Sequence, residues 1–176
     1  NQFFDINKSE IVNKQTKSEI IFRGIKSSSG DQTANLKSLQ GVTTWILDEA
    51  EELTDEKTFD KINLSIRQKG IQNRVILILN PATKEHWIYK RFFESAGVET
   101  GFNGIKGNTT YIHTTYLDNI QNLDQSFIDE VLNIEASNPT KYKHVILGGW
   151  LDKSEGAVFT NWKLGKFEEV GQSIYG

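Results

Sequence analysis

The sequence has no cysteine and no methionine, only two prolines, and no apolar run long enough to cross a membrane. Without cysteine there is no disulfide framework and no thiolate metal site, and the three histidines lack zinc-ligand spacing. No basic segment followed by an apolar one opens the chain, so we expect a soluble protein without an export signal. Because the chain begins at Asn1 without an initiator methionine, we interpret it as a fragment of a longer polypeptide.

The sequence also lacks an excess of positive charge. With a net charge of -3, any contact with nucleic acid has to come from a local patch rather than from the chain as a whole. What the chain does have is an apolar content of 37% over 176 residues, which is enough for the core of one domain. Composition therefore predicts a folded domain and leaves its chemistry open.

Strand-like and helix-like segments alternate along the chain. Short apolar runs predict strands at residues 20–25, 42–47, 75–79 and 110–117. Apolar residues at helical spacing predict helices over residues 54–70, 85–97, 123–138 and 138–150, with Thr54 and Asn138 as N-caps. This alternation predicts an α/β fold with a mostly parallel sheet flanked by helices, and functional loops at the carboxyl ends of its strands.

Two carboxylates, Asp48 and Glu49, directly follow the apolar run that ends at Leu47. An apolar strand ending in Asp-Glu is the Walker B arrangement of nucleoside triphosphatases. There the first carboxylate holds magnesium and the second orients or deprotonates the attacking water. Alternatively, these residues and the following Glu51 and Glu52 only carry charge that is favourable near a helix N-terminus. The motif alone leaves both alternatives open, and only the longer stretches of sequence that include it lead us to interpret Asp48 and Glu49 as the site and Glu51 and Glu52 as helix-start charges.

Asn80 and Pro81 end the apolar run 75–79. In ring-shaped and helicase-like ATPases the strand beside Walker B ends in a polar residue that senses the γ-phosphate and passes its loss to a moving element. The alternative is an Asn-Pro turn that only ends the strand. Because the carboxyl ends of neighbouring parallel strands meet at one edge of a sheet, we expect Asp48 and Asn80 to lie on the same side.

Basic residues offer candidate phosphate or DNA contacts, each with a solvated surface charge as the alternative: Arg23, Lys37, Arg67, Arg74 and Arg91. A phosphate-binding loop with Gly-Lys-Ser or Gly-Lys-Thr is missing, because Gly165-Lys166 is followed by Phe167. The chain therefore carries the metal and water half of an ATP site without the loop that cradles the phosphates.

Four stretches resemble, in order and spacing, the large subunit of tailed-phage terminases, the prophage type in particular: SLQGVTTWILDEAEEL, LILNPATKEHWIYKRFF, IHTTYLDN and NPTKYKHVILGGWLDKSEGAVFTNW. In that family an N-terminal P-loop ATPase domain powers DNA translocation into an empty capsid, and a C-terminal RNase H-like nuclease cuts the DNA concatemer. The resemblance implies a partial P-loop NTPase core, RecA-like, without its Walker A segment. It implies that residues 1–152 are the later part of the ATPase domain and residues 153–176 a linker into the nuclease.

The resemblance also assigns roles to single residues. It makes Asp48 the magnesium carboxylate, Glu49 the catalytic carboxylate, and Asn80 with Pro81 the coupling motif that responds to the nucleotide. ATP and Mg²⁺ are the cofactors it implies for the full-length parent. We expect the parent to be an ATPase and this chain alone to be inactive, because the phosphate-binding loop is absent.

Arg23 and Lys37 lie before Walker B, where some family members place an arginine finger, although a lysine does not reproduce the bidentate contacts of arginine. The implied partners are double-stranded DNA, a portal protein and a small terminase subunit. The resemblance further implies a homo-oligomeric ring on the capsid, no membrane contact, and the cytoplasm of the bacterial host as the location.

Two other functions compete with this interpretation. The string DEAE at residues 48–51 is also similar to a helicase motif, which would make the chain part of a helicase-like DNA translocase. The NPATKEHW and LGGW stretches argue against that. The other alternative is a non-catalytic prophage remnant that binds a portal or small subunit as an adaptor.

Overall fold

The structure is a computed structural model that describes residues 2–25 and 41–152. Lys37 and the linker predicted at residues 153–176 lie outside the described residues, so the predictions made for them stay predictions. Within the described ranges the fold is mixed α/β, with three small sheets and several short helices.

The first sheet has three antiparallel strands, β1 (Phe4–Ile6), β2 (Glu10–Asn13) and β3 (Glu19–Ile21). The turn into β3 is built on Asn13, whose Oδ1 accepts the N–H groups of the two residues that follow Lys14. The strand predicted at residues 20–25 overlaps only β3, and the other two strands were not predicted from the sequence.

The second sheet pairs β4 (Thr44–Leu47) with β5 (Arg74–Leu77) in parallel, with Leu47 opposite Leu77. This confirms two of the predicted strands and their direction. The predicted dominance of parallel pairing is not found, because all other strand pairs of the described ranges are antiparallel. Those strands are three or four residues long and are joined by tight turns, which close antiparallel pairs and cannot make a parallel crossover.

Helix α1 (Glu56–Asn63) connects β4 to β5. Its N-cap is Asp55, so the prediction of Thr54 was wrong by one residue. The Asp55 carboxylate accepts the N–H groups of Lys57 and Thr58 at 3.2 and 3.1 Å, which satisfies two donors that an α-helix leaves open. A hydrogen bond from the Thr58 hydroxyl is the main cause that lowers the pKa of Asp55.

A helical segment after β5 includes a π-helical stretch, Tyr89–Glu94, within the helix predicted over residues 85–97. The third sheet follows, a hairpin of β6 (Gly104–Lys106) and β7 (Thr109–Tyr111). The strand predicted at residues 110–117 overlaps β7 only at residues 110 and 111, and residues 116–122 are 3₁₀-helical instead. Gly107 adopts φ 61° in the connection between the two strands, a conformation that glycine favours.

A 3₁₀-helical segment, Tyr116–Asn122, leads to α2 (Gln125–Ser137) and α3 (Pro139–Lys141), which continues as a π-helical turn, Tyr142–Ile146. Asn138 caps α3 as predicted, accepting the Lys141 N–H at 3.0 Å. No helix in the described ranges has the length and apolarity needed to span a bilayer.

The core lies between α1, residues 80–94 (the segment after β5) and the end of the described chain. Its buried members are Ala50, Leu53, Phe59, Trp87, Ile88 and Trp150. The rings of Phe59 and Trp87 have centroids 4.7 Å apart, which confirms that Trp87 is a core residue.

The β4–β5 sheet packs on this core through one face only. Trp45, Leu47 and Val75 point to the core, whereas Ile46 and Ile78 on the other face are 57% and 51% exposed. The continuous apolar run 75–79 predicted a strand covered on both faces. Within the described ranges it is covered on one.

The end of the described chain returns to the segment after β5. Thr83 and Leu151 form a parallel bridge, in which Leu151 N–H donates to the Ala82 carbonyl at 3.0 Å and its own carbonyl accepts the Lys84 N–H at 2.8 Å. An ion pair of 2.6 Å between Lys84 and Asp152 lies beside this bridge. The two backbone bonds and the ion pair together hold the segment that follows Asn80 against Leu151 and Asp152.

Candidate functional site

The β4–β5 ladder contains one extra residue where β4 ends. The Ile78 N–H donates to the Leu47 carbonyl at 2.9 Å, and the Ile78 carbonyl accepts the Ala50 N–H at 2.9 Å. In a regular parallel ladder the second bond would come from Glu49 instead. Asp48 and Glu49 therefore form an insertion of the β-bulge type, which re-aims side chains at the end of a strand.

The backbone of Glu49 is left-handed, with φ 50° and ψ 47°. This conformation is uncommon for any residue other than glycine and costs roughly 1–2 kcal/mol. The Glu49 N–H, displaced from the ladder, donates to Asp48 Oδ1 at 3.1 Å, while Ala50 is fully buried in the core. Glu49 thus has a strained backbone and an exposed side chain, and it lies between the last bond of the sheet and a core residue. Strained backbones of this kind are common at functional sites.

Asp48 presents a carboxylate suited to a hard cation. Both Asp48 and Glu49 are exposed, and Asp48 Oδ2 makes no hydrogen bond within the described part of the chain. Residues 2–25 and 41–152 contain no group of three acidic or imidazole side chains that could hold an ion by themselves. One rigid carboxylate fits Mg²⁺, which keeps several waters and takes its other ligands from substrate phosphates.

Asn80 lies at the same edge of the sheet as Asp48, as predicted. The two residues follow adjacent parallel strands, and the ladder bonds of Ile78 join the two strand ends directly. Asn80 Nδ2 donates to Glu51 Oε1 at 3.3 Å. This bond connects the segment after β5 to residues 48–53, the acidic turn.

Glu51 differs from its interpretation as a helix-start charge. It lies in a 3₁₀ turn, Ala50–Glu52, which ends before α1 begins. Its Oε1 accepts the Asn80 amide, and its Oε2 is buried without a hydrogen-bond partner in the described ranges. Glu52, in contrast, is exposed. This is expected of an acidic residue whose charge only contributes to solubility or to a favourable helix N-terminus.

His86 and Trp87 add two further bonds to the acidic turn. His86 Nδ1 accepts the Ile88 N–H at 3.2 Å, so Nε2 carries the proton and donates to the Glu51 carbonyl at 3.1 Å. Burial lowers the pKa of His86 and favours this neutral form, although the bond to Glu51 acts in the opposite direction. Trp87 Nε1 donates to the Leu53 carbonyl.

The predicted cations have different environments. Arg23 is exposed and donates to the carbonyl of its neighbour Phe22 at 2.8 Å. Arg91 forms ion pairs with Asp60 at 2.6 Å and Glu56 at 3.0 Å, so it joins the segment after β5 to α1. Arg91 is therefore a structural cation, and the arginine-finger prediction for Arg23 and Lys37 stays a prediction.

Sequence reasoning missed Glu51 and His86 as parts of this site. The contact of Glu51 with Asn80 spans 29 positions and had no local signal.

Two crystal structures of the large terminase from a thermophilic bacteriophage have a similar fold. The first, crystal form 2, has a TM-score of 0.58 and 16% identity, covering 84% of this chain and 33% of that chain. The second, in complex with ADP, has a TM-score of 0.53 and 18% identity over 81% and 30% of the two chains. The fold is thus that of part of a large terminase.

Sequence comparison identifies the family. The large terminase subunit of Bacillus phage SPP1 is 27% identical over an alignment of 179 residues. The alignment covers 88% of this chain and 38% of the SPP1 protein. The family model described as phage terminase large subunit matches residues 1–149. The chain belongs to the phage terminase large subunit family, and this decides against the helicase-like alternative. It spans well under half the length of the relatives it matches.

Proposed function

We propose that this chain is the part of a DNA-packaging ATPase that positions the attacking water and the magnesium carboxylate. The observation that carries the proposal is the insertion at Asp48 and Glu49, which presents two exposed carboxylates at the end of a parallel strand. Phosphoryl transfer depends mainly on positioning and charge, and a bulge anchored between a sheet and a buried alanine supplies a fixed position.

Each acidic residue has its own role in this proposal. Asp48 holds Mg²⁺, which neutralises charge on the phosphates of ATP when it is bound. Glu49 orients the attacking water and accepts its proton, because its carboxylate is exposed and free of hydrogen bonds within the described ranges. Asn80, joined to the same turn, responds to the γ-phosphate, and Pro81 fixes the direction in which the chain leaves the site.

The open face of β4 and β5 supports a partial P-loop core. Parallel sheets are normally covered on both faces, yet Ile46, Ile76 and Ile78 are exposed. We propose that the remainder of a RecA-like core, including the Walker A segment, covers this face in the full-length protein. In that arrangement residues 1–152 complete the ATPase domain and residues 153–176 lead into a nuclease domain.

The partners proposed are those that family membership suggests. The full-length protein would translocate double-stranded DNA into a capsid as a homo-oligomeric ring, working with a portal protein and a small terminase subunit. Arg23 and Lys37 are the candidates for a cation that reaches the nucleotide, either within one subunit or from its neighbour.

The central test is Glu49→Gln in the full-length protein. We expect ATP turnover to fall by at least about a hundredfold while nucleotide binding is retained, because the amide cannot accept a proton from water. Glu52→Gln is the matched control, since Glu52 is an exposed acidic residue three positions along the same turn, and it should leave turnover unchanged. Unchanged turnover in Glu49→Gln would refute the catalytic assignment, whereas a wild-type protein without turnover would favour a non-catalytic adaptor.

Binding to the isolated chain tests the missing half of the site. Calorimetry on residues 1–176 with ATP and Mg²⁺ should detect no tight binding, because a carboxylate edge without a phosphate-binding loop has no donors for the phosphates. Submicromolar binding would contradict the proposal that the phosphates are held elsewhere.

A further inference from the structure

The acidic turn and the segment after β5 are joined by three side-chain hydrogen bonds. Asn80 Nδ2 donates to Glu51 Oε1, His86 Nε2 donates to the Glu51 carbonyl, and Trp87 Nε1 donates to the Leu53 carbonyl. Two of the three involve Glu51, and only the bond to Asn80 uses its carboxylate. Glu51 is therefore the residue through which the turn contacts the predicted nucleotide-sensing side chain.

The burial of Glu51 needs an explanation beyond charge placement. Its Oε2 is buried with no partner in the described ranges, whereas a carboxylate oxygen normally stays in water or accepts a hydrogen bond. The turn that carries Glu51 is too short to supply a significant helix dipole, and no side chain caps it. The side chain of Glu51 thus keeps one oxygen buried and without a hydrogen bond in the described ranges, a cost that a solvent-facing rotamer would not have.

The orientation of Asn80 depends on this carboxylate. Asn80 is exposed, and within residues 2–25 and 41–152 its side chain has one hydrogen bond, the 3.3 Å contact with Glu51. An exposed amide with a single partner loses its preferred rotamer when that partner is removed. Glu49 precedes the turn that carries Glu51, two positions away along the chain.

We propose that Glu51 is a positioning residue that orients Asn80 and thereby couples the acidic turn to the segment after β5 during ATP turnover. The proposal rests on the function proposed above for Glu49 and Asn80. Glu51 itself does not touch the substrate: it acts through the amide of Asn80. Its role requires the reach and the acceptor oxygen of the side chain rather than its negative charge, since the donor is a neutral amide.

Two conservative variants separate reach from charge. Glu51→Gln keeps the length and an acceptor oxygen, and we expect a kcat within about threefold of the wild-type value. Glu51→Asp keeps the charge but is one methylene shorter, and we expect kcat to fall by about tenfold with the KM for ATP nearly unchanged. The reverse order, with the aspartate variant active and the glutamine variant impaired, would overturn the proposal. So would equal activity of the two variants.

A double-mutant cycle tests whether Glu51 acts through Asn80. In the full-length protein, Glu51→Asp and Asn80→Ala should each lower kcat about tenfold, and the double variant should be no slower than either. Independent action would instead give about a hundredfold loss in the double variant. Glu52→Asp with Asn80→Ala is the matched cycle, and there the double variant should equal Asn80→Ala alone because Glu52 is exposed and its side chain makes no hydrogen bond or ion pair in the described ranges.

Nucleotide binding and a melting curve for each variant distinguish positioning from loss of the fold. A positioning role predicts an unchanged dissociation constant for ATP and a thermal midpoint close to that of the wild type. The proposed role of Glu51 and the proposed ATPase function can be refuted separately. If Glu49→Gln abolishes turnover while Glu51 and Asn80 act independently in the double-mutant cycle, the ATPase assignment holds and the role of Glu51 is refuted.

Discussion

The guanidinium carbon of Arg91 lies 5.0 Å from the centre of the Phe59 ring, and the same group binds the carboxylates of Asp60 and Glu56. The hydrogen bond to Asp60 is the main cause that raises the pKa of Arg91. One cation therefore joins α1 to the segment after β5 through both charge and ring contact. These are the two elements that flank the core beneath the acidic turn.

Arg91→Ala should lower the free energy of unfolding by about 1 kcal/mol, the sum expected for a partly exposed cation–π contact and its ion pairs. Arg91→Lys should recover only part of this loss, because the ammonium group of lysine lacks the planar guanidinium that lies over the Phe59 ring. Urea unfolding of the 176-residue chain measures the difference. The control is Arg67→Ala, an exposed arginine, for which the change should stay within about 0.5 kcal/mol.

The left-handed backbone of Glu49 predicts an unusual preference for glycine. Glu49→Gly should be more stable than Glu49→Ala by about 1 kcal/mol, because glycine adopts φ 50° without steric cost. At Glu52, which lies in the 3₁₀ turn, the order should reverse and alanine should be preferred. Thermal unfolding of the four variants checks this, and the same order at both positions would contradict the strained backbone.

Gly149 lies where a side chain does not fit. A β-carbon built there would be 2.7 Å from the Lys143 carbonyl oxygen, a backbone atom that cannot rotate away. Gly149→Ala should therefore destabilise the protein by about 1–3 kcal/mol. Gly24→Ala is the control, since no atom of the described residues lies within 4 Å of the corresponding β-carbon, and its midpoint in urea should hardly move.

The bonds of His86 predict a pH dependence of stability. Because burial lowers its folded pKa, the unfolded chain, with a histidine pKa of about 6.5, binds the proton more readily. The stabilisation is complete above that pH and is lost as the pH falls through the folded pKa. Protonation of Nδ1 also removes the acceptor of the Ile88 N–H.

Thermal midpoints between about pH 7.5 and 5.5 test this, in a range where aspartate and glutamate of ordinary pKa stay charged. The wild-type midpoint should fall with pH, and His86→Gln should flatten the curve while His113 and His144 remain in both proteins. An identical slope in both proteins would mean that His86 does not contribute.

The sequence predicted the elements whose signals are local. Asn138 was predicted to begin the last helix, and the structure confirms it as the N-cap. The apolar runs before Asp48 and Asn80 predicted the parallel pair and its common edge. These features depend on residues that lie within a few positions of one another.

Other features depend on contacts between distant residues or on competition between neighbours. Asp55 rather than Thr54 caps α1 because its carboxylate reaches two N–H groups at once, and either residue type would suit an N-cap. The strands β1 and β2 are only three and four residues long, and polar residues interrupt or flank their apolar residues, so neither forms an apolar run long enough to predict a strand. Glu51 could be distinguished from Glu52 only by the position of Asn80, which the fold supplies.

The parallel bridge between Thr83 and Leu151 determines how tension in the chain reaches the site. A displacement of Asp152 would be resisted by the two backbone bonds of Leu151 and by the ion pair to Lys84. The segment under load is the continuation of Asn80 and Pro81. The bridge thus joins the end of the described chain to a position two residues after Pro81.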